Sequence, residues 1–246
     1  MSSAGGYRPS RRSFIAGSLT ATALGGQLRA EVNISMDHIA LLGDSVFDNG
    51  AYVGGGIDVI GHLRQQMPSG WQASLLAVDG GRMADLPRQM AGLSQDATHL
   101  IISIGGNDAL AYASVLDEPS RSIAESLLKL ASIRAQFCRD YQAMLDGIGQ
   151  MNRPAAVCTI YDPRYPDQVE RTVGTTALMV LNDCIIREAG IRGVPVLDLR
   201  TICNEDQDFA NAIEPSDQGG RKIARAIVSL VAEHDFGRRR TAIYAG

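Results

Sequence analysis

What this chain lacks narrows its chemistry before any motif is read. Its four cysteines, Cys138, Cys158, Cys184 and Cys203, show neither metal-ligand spacing nor a C-x-x-C pair, so no metal site or redox motif is expected. They fall mostly in helix-like and strand-like runs, and the expectation is free, buried thiols. The 23 lysines and arginines stand against 27 aspartates and glutamates and are scattered, giving a formal net charge of −4. That excludes a concentrated nucleic-acid surface and suits a small or neutral ligand better. Gly54-Gly55-Gly56 is not followed by the lysine-serine pair of a phosphate loop, and the Rossmann glycine spacing is missing, so no nucleotide cofactor is expected. There is no internal repeat, no low-complexity tract and no stable membrane span.

With 246 residues and 45% apolar content, the chain can form one substantial core. Residues 1–35 read as a leader. Ser10-Arg11-Arg12-Ser13-Phe14-Ile15 precedes a short, weakly apolar run from Ala16 to Gly26, a pattern that resembles a twin-arginine export signal. The expectation is export to the periplasm or medium; the alternative is a cytoplasmic protein starting near Met36. A domain over 36–236 and a solvated tail over 237–246 complete the division.

Past Met36, short apolar runs alternate with longer amphipathic ones. Strands are predicted at His38 to Gly43, Ala73 to Val78, His99 to Ile104, Ala155 to Ile160 and Val194 to Leu197. Helices are predicted near Ile57 to Gln66, Met83 to Leu93, Ser120 to Ile148, Thr172 to Ala189 and Asp217 to Glu233. The longest carries an apolar stripe through Ile123, Leu127, Leu130, Ile133, Phe137, Tyr141, Met144 and Ile148, with Ser120 as its expected start and Gly147 and Gly149 as its end. Continuously apolar strands separated by helices imply a parallel sheet covered on both faces, a three-layer α/β/α sandwich.

Ligands of such folds bind outside the carboxyl ends of the strands. There the chain places Gly43-Asp44-Ser45, then Asp79-Gly80-Gly81, then Gly105-Gly106-Asn107-Asp108. A serine hydroxyl can attack a carbonyl, while uncovered glycine amides and an asparagine side chain can donate to the oxyanion that forms. Tyr161 to Pro166, just after the fourth strand, makes a rigid loop or a substrate-contacting wall.

These blocks, in this order over most of residues 38 to 230, resemble the SGNH hydrolases, also called the GDSL esterase and lipase family. The resemblance implies a flavodoxin-like fold with a five-stranded parallel sheet, Ser45 as nucleophile, and an oxyanion hole from the Ser45 amide, Gly80 and Asn107. It also implies a serine ester hydrolase acting on a small acyl ester, without a cofactor. Acyl transfer to another hydroxyl shares the first half-reaction, and a ligand-binding protein on a hydrolase scaffold is the alternative from outside catalysis.

The final block departs from the family. Pro215-Ser216, the following glycines and the last helix match, but the position of the family's acid is Asn211 and that of its histidine is Glu214. The four histidines offer no replacement: His38 and His99 begin strands at the wrong sheet edge, His62 lies inside a helix and His234 near the tail. Glu214 therefore stands as a general base, as an orienting group for water or a substrate hydroxyl, or as the mark of an inactive pocket. Asp44, Asp48 and Asp108 are expected to shape their loops, Asp48 also as a site wall, and Asp206 or Asp208 is a candidate for the missing acid.

Overall fold

The structure, a computed structural model, describes residues 36–246. The leader with Arg11 and Arg12 lies outside the described residues. Six parallel strands form one sheet: β1 (His38–Gly43), β2 (Gln72–Leu75), β3 (His99–Ser103), β4 (Ala155–Cys158), β5 (Val196–Leu197) and β6 (Ile243–Tyr244), in the order β2-β1-β3-β4-β5-β6. Seven helices connect or follow them: α1 (Val59–Gln66), α2 (Leu86–Ala91), α3 (Gly106–Leu110), α4 (Ile123–Gln150), α5 (Gln168–Arg192), α6 (Leu199–Ile202) and α7 (Asp217–Glu233).

The central strand shows why the layers form. All six residues of β1 are buried, and successive side chains alternate between faces. Ile39 and Leu41 join the core under α1 and α7, with Val59, Leu63, Ile223 and Ile227. Ala40 and Leu42 join the opposite core with Leu86 of α2, Phe137 and Tyr141 of α4, and Ile185 of α5. Ser216 starts α7 by accepting the Gly219 amide, as an N-cap residue does.

Four expectations are corrected. The sheet has a sixth strand, and it comes from the segment expected to be a solvated tail. Val196 donates to the Ala242 carbonyl at 2.8 Å and Asp198 to that of Tyr244 at 2.9 Å, giving the edge of β5 a partner. Two residues are too few for periodicity to reveal. Cys138 and Cys184 are not free: they form a disulfide between α4 and α5, with Cα atoms 5.7 Å apart, while Cys158 and Cys203 remain free and buried. Facing positions on two helices leave no local signature across 46 residues of sequence.

The long helix also begins and ends elsewhere. Ser122, not Ser120, caps α4 by accepting the Glu125 amide, and the helix runs through Gly147 and Gly149 to Gln150. Burial of Ile148 between those glycines outweighs their low helix propensity. Among the described residues no helix is long and apolar enough to cross a membrane.

Candidate active site

The carboxyl edge of the sheet is where the chain turns sharply. Gly43 ends β1 at φ +133°, and a Cβ there would lie 1.7 Å from the Ser103 carbonyl oxygen, so only glycine lets β1 and β3 approach this closely. Gln89 of α2 braces this point: its side chain accepts from the Gly43 amide and donates to the Gly43 carbonyl, both at 2.8 Å. The next turn presents Ser45.

Ser45 is buried, and its Oγ donates to Glu214 Oε1 at 3.0 Å. These residues are 169 positions apart, and the loop carrying the glutamate is held by bonds along most of its length. Asn211 Oδ1 accepts the Ile213 and Glu214 amides, Ala210 donates to the Glu214 carbonyl, and the Tyr161 hydroxyl donates to the Ile213 carbonyl. Asn211 thus acts as an aspartate would in an Asx turn, while its carbonyl oxygen is committed to the backbone. Buried Asn49 fastens the loop to the first block by donating to the Pro215 carbonyl at 3.0 Å and accepting from Val59.

Glu214 is 6% exposed, and its Oε2 is buried without a hydrogen-bond partner among the described residues. Burial pushes its carboxyl up to about 7; the Ser45 hydroxyl opposes this and the Asp79 charge adds to it. Burial also pushes Asp44 up to about 8, against the opposing bond from the Val46 amide and with added repulsion from Glu214 and Asp108. Asp44 accepts that amide at 3.2 Å, the loop-shaping role expected of it.

The proposed oxyanion donors occupy the neighbouring loops. Gly80 has φ +76°, which a glycine adopts without strain. Among the described residues, neither its amide nor that of Ser45 donates to a protein acceptor. Asn107, at the start of α3, spends one N–H on the Gly81 carbonyl at 3.0 Å and lines the same cavity as Ser45 and Glu214. Asp48 accepts the Asp79 amide at 2.9 Å, tying the second loop to the first, and Asp108 accepts the Met83 amide.

Neither candidate for the missing acid bonds to Glu214. Asp208 is fully buried on Lys222 Nζ at 2.8 Å, while Asp206 pairs at the surface with Arg171. The histidines stay structural: His62 meets Asp217 across α1 and α7, and His234 packs on Phe236 and Tyr244. Gln89 and Asn49 escaped the sequence reading because their partners are backbone groups distant in sequence. A polar residue on the buried face of an amphipathic segment was the one available signal for Gln89.

A parallel α/β/α sandwich that presents a serine, a glycine and an asparagine on three successive strand ends defines a class of ester-hydrolase scaffolds. A model of the GDSL-like lipase/acylhydrolase family matches residues 41–222, and the chain belongs to that family. Solved structures agree in fold. The extracellular lipase of Streptomyces rimosus aligns with 81% of this chain and 100% of its own at TM-score 0.56 and 18% identity. An acetyl xylan esterase gives 79%, 99%, 0.57 and 19%, and phospholipase A1 of Streptomyces albidoflavus gives 80%, 99%, 0.56 and 18%. No curated protein matches the chain in sequence.

Proposed function

We propose that the protein is a serine ester hydrolase in which Ser45 is the nucleophile and Glu214 the general base. The observation that carries this reading is the 3.0 Å bond between Ser45 Oγ and Glu214 Oε1, joined to a carboxyl raised to about 7. As Ser45 attacks the acyl carbonyl, its proton passes to Glu214, and the new oxyanion takes hydrogen bonds from the Ser45 and Gly80 amides and the free N–H of Asn107. The protonated Glu214 returns the proton to the leaving alkoxide, giving an acyl-enzyme and an alcohol. Water then repeats the sequence with Glu214 again as base.

A carboxylate base explains why no third residue is needed. An imidazole has two distinct nitrogens and becomes a cation, so a partner acid fixes its tautomer and offsets its charge. Glu214 has two equivalent oxygens and becomes neutral. A second carboxylate on it would favour the protonated form and remove the base at neutral pH. Neutral Asn211 suits this chemistry.

A serine-directed fluorophosphonate followed by intact mass tests the reading without a known substrate. Wild type should gain one adduct and Ser45→Ala none; absence of labelling together with no turnover on an ester panel would refute it. Asn107→Ala should label slowly and lose about 100- to 1000-fold in turnover, the usual cost of one oxyanion donor.

Export by the twin-arginine route belongs to the same proposal. It is supported by Arg11 and Arg12 and by the Cys138–Cys184 disulfide, since disulfides persist mainly in oxidising compartments. Lysine at both arginine positions should hold the protein in the cytoplasm; wild type recovered there with residues 1–30 intact counts against export.

A further inference from the structure

The two long helices are longer than the sheet they cover. With 28 and 25 residues, α4 and α5 run about 42 and 38 Å, whereas five-residue β3 spans about 17 Å. Both lead back to the start of a strand, so their N-terminal halves overhang the edge that carries Ser45. The apolar stripe of α4 divides accordingly. Phe137, Tyr141, Met144 and Ile148 are buried against the sheet, while Leu130 and Ile133 line a cavity above it.

That cavity has a volume of about 480 Å³, within the usual range of small-molecule sites. Its polar end holds Ser45, Asn107 and Glu214. Away from them the walls are mostly apolar, with Leu116 from the turn after α3, Leu130 and Ile133 from α4, and Val173, Ala177 and Leu178 from α5, joined by the rings of Tyr112 and Tyr165. The charged lining residues farther out, Asp117 and Glu170, are exposed. Leu116 is 41% and Val173 40% exposed, so large apolar side chains stand in water where none of the described residues covers them fully.

We propose that this cavity binds the acyl chain of the substrate, and that the protein selects linear chains of about eight carbons or more over acetyl. The choice of occupant rests on continuity: the cavity is polar where the ester carbonyl meets Ser45 and apolar along the path beyond it. An acetyl group would leave most of that apolar surface in contact with water. The catalytic half of this proposal rests on the hydrolase reading; chain binding does not.

The kinetic test is a series of p-nitrophenyl esters from acetyl to dodecanoyl, kept below their aggregation concentrations. Full burial stabilises by about 0.8 kcal/mol per methylene, or about fourfold in kcat/KM, so octanoyl should exceed butanoyl by up to roughly 200-fold. Ala177→Trp should collapse the octanoyl-to-acetyl ratio by filling the cavity. Val173→Phe, at a half-exposed position that tolerates a larger side chain, should lower it as well, and Ile191→Phe at the far end of α5 should not. A flat or falling series in enzyme that still takes the phosphonate label overturns the acyl pocket and leaves the hydrolase standing.

Binding is read separately by calorimetric titration of decanoate into Ser45→Ala. Saturable binding with a negative heat-capacity change, weakened by Val173→Phe, is expected. Binding without phosphonate labelling of wild type would keep the pocket and refute the hydrolase. No binding of decanoate would refute the pocket.

Discussion

Ester turnover by Glu214→Gln should fall by about 100- to 10,000-fold, the range that a positioned general base contributes. The substitution keeps shape and an oxygen for the Ser45 hydroxyl but removes basicity. The pH profile gives the sharper discrimination. Glu214 must be ionised to accept the proton, and burial holds its carboxyl at about 7, so wild-type kcat/KM should climb as pH rises through about 7 and level off above it. The glutamine variant should lose that step together with the rate. A glutamate that only orients water predicts a milder loss and no difference in pH profile between wild type and variant. Glu214→His with Asn211→Asp restores the family pair; if wild type neither labels nor turns over an ester and this variant does both, the natural protein is a binder on a hydrolase scaffold.

Asp44→Asn should stabilise the protein on the order of 5 kcal/mol at pH 8 relative to wild type. Asp44 is 3% exposed, and its carboxyl is raised from 3.8 to about 8. Between those values the native state holds a proton that the unfolded chain releases. Stability therefore falls as pH rises from about 4 to about 8 and is flat beyond. Asparagine cannot ionise, yet its side-chain oxygen still accepts the Val46 amide. Urea denaturation at pH 5, 6.5 and 8 should show the wild-type midpoint falling and the variant's falling less. The residual slope is the sum of the other carboxyls that burial raises, Glu214 up to about 7 together with Asp108 and Asp162, opposed by His99 and His234, whose imidazoles burial lowers. A variant as pH-sensitive as wild type would clear Asp44 of this role.

Much of the framework was legible because the central strands are buried on both faces. His38–Gly43 and His99–Ser103 are continuous apolar runs ending in glycine or serine, and α7 begins at a capping serine. β5 falls within the run predicted at Val194 to Leu197, whereas the two-residue β6 and the five-residue α3 are too short to show a period, and their positions are set by neighbours. Within the site, strand-end position pointed to Ser45, Gly80 and Asn107 without any contact being known. The Ser45–Glu214 bond joins the two ends of the domain, so only motif order could suggest it. Asn49, Gln89 and the cysteine pair depend on partners that local patterns do not specify.

The disulfide has a mechanical consequence for the cavity. Cys138 lies about fifteen residues into α4 from Ile123, and Cys184 about the same distance into α5 from Val169, so beyond the covalent crossing lie two arms of nearly equal reach, about 22 Å each, held otherwise by surface ion pairs such as Lys129–Glu118 and Arg171–Asp206. The cavity walls lie along those arms. The cross-link is therefore a pivot: a tilt of about 5° at the crossing carries an arm's tip by about 2 Å, while the part of the cavity nearest the sheet hardly changes width.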